Sequence, residues 1–327
     1  MTSTLKFIFN NLLKRSRSVQ SVGGFTLIEL LVAMLLAFLV ITPLLGFMIN
    51  VMDTDRKEQA KANSEQEIQA ALDYITRDLQ QAIYIYDANG IKAIADTDAT
   101  KSQLPPANSN RVPVLVFWKR EFVNQGVPIK TGEIDDSFVY SLVAYYLIKD
   151  TNATWSKAAR IARWQIKDGV TDDNVTAGLC TAYPTKKYVS GQCPDAGFEG
   201  FNLEQAGSLE DKMNAWKKAS ATYTQVPIAL VDFIDHTATT AAPAKTCPTD
   251  PSSKVTLSQV PLSTLDSLQM TSFYACIDRV NTTAEVFLRG NALARMRNDN
   301  LNYDPNNTTY FPSASIKVQG HGYLFTK

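Results

Sequence analysis

The stretch Phe25 to Met52, FTLIELLVAMLLAFLVITPLLGFMINVM, constrains this chain more than any other. It is apolar almost throughout, and Glu29 is the only charged residue between Arg17 and Asp53. As an α-helix rising about 1.5 Å per residue it would reach ~42 Å, beyond the ~30 Å hydrocarbon core of a bilayer. One span is affordable, and the excess can tilt or emerge. The run is too long for the ~7–15-residue apolar region of a secretory signal. The nearest small-x-small site, Ala60-Lys61-Ala62, is stranded among charges well past it. Residues 1–24 hold Lys6, Lys14, Arg15 and Arg17 and no acid, so the positive-inside bias keeps the N-terminus cytoplasmic and exports the rest.

A plain anchor leaves Glu29 unexplained. A carboxylate at the bilayer centre costs roughly 2.5–3.5 kcal/mol on insertion scales, and ionisable groups in such segments are functional suspects. The Gly23-Gly24 junction between the basic leader and the apolar run is equally abrupt. One hypothesis covers both. A cut between Gly24 and Phe25 would create an α-amine four residues from Glu29, and that amine in one subunit could pair with Glu29 of a neighbour. Pairing makes a buried carboxylate tolerable.

These residues carry a resemblance. Gly24-Phe25-Thr26-Leu27-Ile28-Glu29-Leu30-Leu31-Val32-Ala33 resembles the prepilin motif of type IV pilins and type II secretion pseudopilins almost letter for letter. The resemblance implies that a prepilin peptidase cleaves after Gly24 and methylates Phe25, and that Glu29 is the assembly carboxylate. It implies other major and minor pseudopilins and an inner-membrane assembly platform as partners. The inner membrane is then the site of the precursor, with a periplasmic or extracellular head and later incorporation into a pilus or pseudopilus. The segments ALDYITRDLQQAIY and AEVFLRGNALAR are similar to the larger minor pseudopilins of the J/W type. They are similar in particular to the cyanobacterial pseudopilin linked to hormogonium polysaccharide secretion and gliding motility.

Pro43 and Gly46 lie inside the span. Proline removes a helical hydrogen bond and clashes with the preceding turn, so a kink or locally melted segment is expected there. From Asp53 the chain turns polar, and apolar residues then return at helical spacing as Ile68, Leu72, Ile75, Leu79 and Ile83. No Gly or Pro interrupts residues 47–89, and Asn89-Gly90 reads as a helix stop or a turn. The organisation expected is a leader at 1–24, a membrane and assembly helix at 25–52, its amphipathic continuation at 53–89, and a β-rich exported head at 90–327.

Strands are expected at 112–118, 137–148, 159–167, 226–234, 270–277 and 283–297, where β-branched and aromatic residues gather. Residues 237–265 read as Pro/Ser/Thr-rich loop. The fold class is α+β: a long N-terminal helix packed on an antiparallel sheet.

The four cysteines, Cys180, Cys193, Cys247 and Cys276, lack C-x-x-C spacing, and with only His236 and His321 a zinc site is not expected. Beyond a membrane span they suggest disulfides. Three pairings exist; Cys180 with Cys193 and Cys247 with Cys276 is favoured, and sequence does not settle it.

The net charge of zero leaves no basic footprint for nucleic acid. Arg160, Arg163, Trp164 and Lys167 read as a solvated face. No G-x-S-x-G, P-loop or H-E-x-x-H pattern is present. Asp232 and His236 read as surface or capping groups, and Thr171-Asp172-Asp173-Asn174 offers oxygens without the spacing of a calcium loop. No enzyme activity, metal or cofactor is expected. Beside the structural subunit stand a membrane-anchored adhesin or glycan-binding module and an anchored enzyme that lacks a catalytic constellation.

Overall fold

The computed structural model describes residues 24–322 except 97, 99, 131–132, 239 and 249–256. The chain divides into two compact units after Asp55. Helix α1, Leu27–Gln80, contributes residues to both.

In the first unit α1 is exposed on every side. It is long and apolar enough to cross a membrane, with a mean hydropathy of 2.7 over its most apolar window. The helix continues through Pro43 without interruption, so of the kink or melted segment expected there, the melted segment is not seen. Pro43 has no N–H to give the Leu39 carbonyl. One residue earlier, the Thr42 hydroxyl donates to the Phe38 carbonyl at 2.8 Å.

In the second unit α1 becomes one-sided. Ile68, Leu72, Ile75 and Leu79, spaced three and four apart, are all at most 2% exposed, as an apolar stripe facing a core requires. The helix was expected to run to residue 89 but ends at Gln80. Ala82–Ile85 is instead strand β1, antiparallel to residues 117–119. Ile83, Tyr84 and Ile85 are β-branched or aromatic, and the ladder they complete outweighs the continued helical period. Asn89-Gly90 does not stop a helix. It lies within the short helix α2, Ala88–Ile94, whose N-cap Asp87 accepts from the Gly90 N–H at 2.7 Å.

Two antiparallel meanders build the head. The first sheet runs β1, β2 (Arg111–Lys130), β3 (Glu133–Ile148), β4 (Ala159–Lys167), β5 (Ile228–Ile234) in spatial order. The second runs β6 (Ser258–Val260), β7 (Phe273–Asp278), β8 (Thr283–Arg289), β9 (Ser313–Gln319). β6 falls in a stretch expected to be loop, β9 was not expected, and the strand expected at 283–297 ends at Arg289. There Asn291 caps a 3-10 turn, Ala292–Arg295.

The two sheets join at a bridge between Ile234 and Gly290 and through residues beyond β9. The N–H groups of His321 and Gly322 donate to the carbonyls of Gln80 (3.0 Å) and Ala82 (3.1 Å). Gly290 lies close against α1: a Cβ there would lie 2.6 Å from Ile68 Cδ1.

Polar side chains also pin the helix at either end of its buried stripe. Asp78, 7% exposed, is held by Arg163 Nε at 2.6 Å, Lys119 Nζ at 3.0 Å and the Tyr145 hydroxyl at 2.7 Å. One helical turn after Ala60, Ser64 accepts from Arg295 Nε at 3.0 Å, and Glu67 pairs with the same guanidinium. Arg160 and Arg163 are therefore not a solvated face. Arg160 is 8% exposed and grips Asp150 with both terminal nitrogens at 2.6 and 2.7 Å, while Trp164 is 1% exposed. Only Lys167 of that group is exposed.

Two disulfides, Cys180–Cys193 and Cys247–Cys276, staple the long connections. The second ties the Pro-rich loop to the centre of β7.

Candidate functional site

The first turn of α1 is a built structure. Thr26 is its N-cap, and Glu29 stands three residues on. The Thr26 N–H and hydroxyl donate to Glu29 Oε2 at 3.1 and 2.9 Å, and the Glu29 N–H donates to Thr26 Oγ1 at 3.3 Å. This is a capping box, the reciprocal closure of two orphan donors at a helix start. The T-x-x-E spacing ahead of an apolar run is the signature of such a box, which was not among the features expected here. Both donated bonds fall on Oε2; among the described residues Oε1 has no partner. The same carboxylate sits at the positive end of the helix dipole, which favours an anion.

Gly24 and Phe25 precede this cap and are both exposed, Phe25 to 83%. A Cβ at Gly24 would meet nothing within 4 Å, and its backbone is not in the left-handed region. The fold itself makes no demand for glycine there. Gly46, inside the helix, is likewise free of close contacts.

The other residues singled out from sequence have local work. Asp232 accepts the Ser156 N–H and hydroxyl, both at 2.8 Å, fixing the loop before β4. It does not reach His236. The next carboxylate, Asp235, binds the Thr237 N–H at 3.0 Å and Arg289 Nε at 2.8 Å. Burial lowers the His236 pKa, the Lys149 ammonium lowers it further, and Asp235 opposes them. Asp172 accepts from the N–H and side-chain amide of Asn174 at 2.9 and 3.0 Å, closing its own turn. Among the described residues no three His, Cys, Asp or Glu side chains converge as a metal site would need.

Comparison with known proteins adds one finding. Residues 20–45 match the prokaryotic N-terminal methylation motif. The match spans the end of the basic leader, Gly24, Phe25, the capping box and the apolar helix through Pro43. No curated protein and no solved structure matches the chain significantly. The motif implies processing by a prepilin peptidase and assembly with pilin or pseudopilin subunits. This chain carries a prepilin-type methylation motif on an α+β, pilin-like frame.

Proposed function

We propose that the chain is a minor pseudopilin, a non-enzymatic structural or initiating subunit of a type IV pilus-like filament or type II secretion pseudopilus. It is cleaved after Gly24, methylated at Phe25, and supports export of polysaccharide and surface motility. The precursor is held in the inner membrane with its N-terminus cytoplasmic. Similarity of two internal segments to J/W-type minor pseudopilins supports the minor position, and a head of this size suits a filament tip.

The observation that carries the reading is the state of Glu29. Among the described residues one oxygen closes the helix cap and the other has no partner, close in sequence to the bond whose cleavage would leave a new amine. A carboxylate so placed can hold its own helix and still accept the amine of a neighbour. Helix-to-helix packing of the exposed apolar face supplies the remaining cohesion.

The test is the mass of the N-terminal peptide of membrane-extracted protein, with and without a prepilin peptidase. A chain beginning at methylated Phe25 only when the peptidase is present supports the proposal. A start near Met1 in both cases, or at Asn63 after Ala62, defeats it. Two substitutions then separate the roles of Glu29. Thr26→Val removes the cap hydroxyl but keeps the carboxylate, and filament incorporation should survive. Glu29→Ala should abolish incorporation while leaving membrane insertion intact.

A further inference from the structure

The head contains a groove of about 680 Å³ between α1 and β5, within the range of small-molecule sites. Its floor is apolar, formed by Ala71, Leu230 and Val231. Two aromatic side chains stand at its rim: Tyr74, 45% exposed, and Trp155, 38% exposed. Of the four tryptophans, Trp118, Trp164 and Trp216 are at most 3% exposed. Trp155 alone is placed where a ligand could touch it.

Each rim aromatic is fixed from behind. The Arg160 guanidinium lies 5.6 Å from the Trp155 ring centre, and Asp150 holds that guanidinium with two hydrogen bonds. The Arg163 guanidinium lies 5.7 Å from the Tyr74 ring centre and is locked to Asp78. Asp232 pins Ser156, the residue after Trp155, by two bonds. An aromatic surface held rigid loses little entropy when it stacks on a ligand.

The chemistry narrows the ligand. The guanidiniums nearest the groove, Arg160, Arg163 and Arg295, are paired with Asp150, Asp78 and Glu67. The lining of the groove itself holds no Lys, Arg or His to invite a phosphate or a carboxylate. The rim instead carries the carboxylates of Glu67 and Asp232 and the hydroxyl of Thr154. Apolar faces beside oxygen acceptors fit a molecule that presents C–H on its flat faces and hydroxyls at its edge. We infer that this groove binds a neutral, hexose-based saccharide, stacked on Trp155 and Tyr74 with its hydroxyls toward Glu67. The inference goes beyond the filament reading and does not depend on it.

The experiment uses the full chain in a zwitterionic detergent without a sugar headgroup, titrated with cellohexaose, maltohexaose, polygalacturonate and an apolar hexapeptide. Saturable binding of a neutral oligosaccharide, with a change in tryptophan emission, is expected. Calorimetry on folded Trp155→Ala and Tyr74→Ala, checked by circular dichroism, should show affinity weakened at least tenfold. Trp155→Phe should recover part of it. Failure of both neutral sugars to bind overturns the inference. So does binding unchanged in both alanine variants, or tighter binding of polygalacturonate or the peptide. The N-terminal mass experiment is untouched by either result.

Discussion

Replacing Asp78 tests what holds α1 to the first sheet. Asp78 and Lys119 are each 7% exposed, and Arg163 completes a largely dehydrated cluster. Removing the one carboxylate that faces both cations strands them. Breaking a buried pair from one side costs about 3–5 kcal/mol. The lower end applies here, because Glu121 lies 3.8 Å from Lys119 and the Gln165 side chain accepts from Arg163 at 2.5 Å. At about 2–4 °C per kcal/mol for a unit of this size, Asp78→Ala should lower Tm by on the order of 10 °C. Scanning calorimetry or thermal circular dichroism at neutral pH measures it. Glu58→Gln, which breaks the exposed pair with Lys61 on the same helix, should change stability by less than about 0.5 kcal/mol.

The pH dependence gives a second handle. Burial alone would raise the Asp78 pKa, but Arg163, Lys119 and Tyr145 outweigh it, and the net shift is downward from 3.8. A depressed carboxylate contributes its full stability above the unfolded value and loses it as pH falls through the folded value. The gap between wild type and Asp78→Asn should therefore be constant at neutral pH and close below about pH 3.9. A Tm within 1 °C of wild type for Asp78→Ala, or a gap that widens in acid, would refute this account.

Three further outcomes follow from the geometry. Replacing Cys247 and Cys276 together by Ala frees a loop of sequence separation 29 and should cost roughly 3–4 kcal/mol by the loop-entropy relation, read from urea unfolding. Gly169→Ala would place a Cβ 2.4 Å from the Gln192 carbonyl oxygen, backbone that cannot swing aside. It should cost about 1–3 kcal/mol and show as faster hydrogen exchange around the Cys180–Cys193 loop. Gly24→Leu should leave the thermal unfolding of the head unchanged, since no described residue would meet a Cβ there within 4 Å, yet block the appearance of a Phe25 N-terminus.

Much of the frame is legible in local pattern. The apolar run and the Ile68–Leu79 stripe need only one period, and the cores of β2 to β5 announce themselves by β-branched and aromatic residues. What escapes is set at a distance. β1 continues the helical spacing of the residues before it, and only the partner strand at 117–119 tells Ile83 to be a strand residue. β9, SASIKVQ, has too few large apolar residues to stand out, and its pairing with β8 defines it. Arg163 looks solvated because its partner Asp78 is 85 residues away in sequence. At the N-terminal site, Gly24, Phe25 and Glu29 are readable as a motif. The second use of Glu29, as partner of Thr26, is readable too, from spacing alone.

The contacts of His321 and Gly322 with Gln80 and Ala82 bear on the order of events during synthesis. A ribosome delivers α1 before the strands of the head, so its apolar half is available for insertion before most of the head exists. The end of the same helix is tied off by His321 and Gly322, which emerge long after it. Contacts this remote in sequence close slowly. Until β9 docks ahead of them, the core that holds the stripe from Ile68 to Leu79 lacks Ala314, Ile316 and Val318, and an unfinished chain displays apolar surface. Chains cut short ahead of residue 320 would keep a complete N-terminal motif but an open head. A protease that surveys exposed apolar segments could thus remove them before their intact N-termini reach a growing assembly.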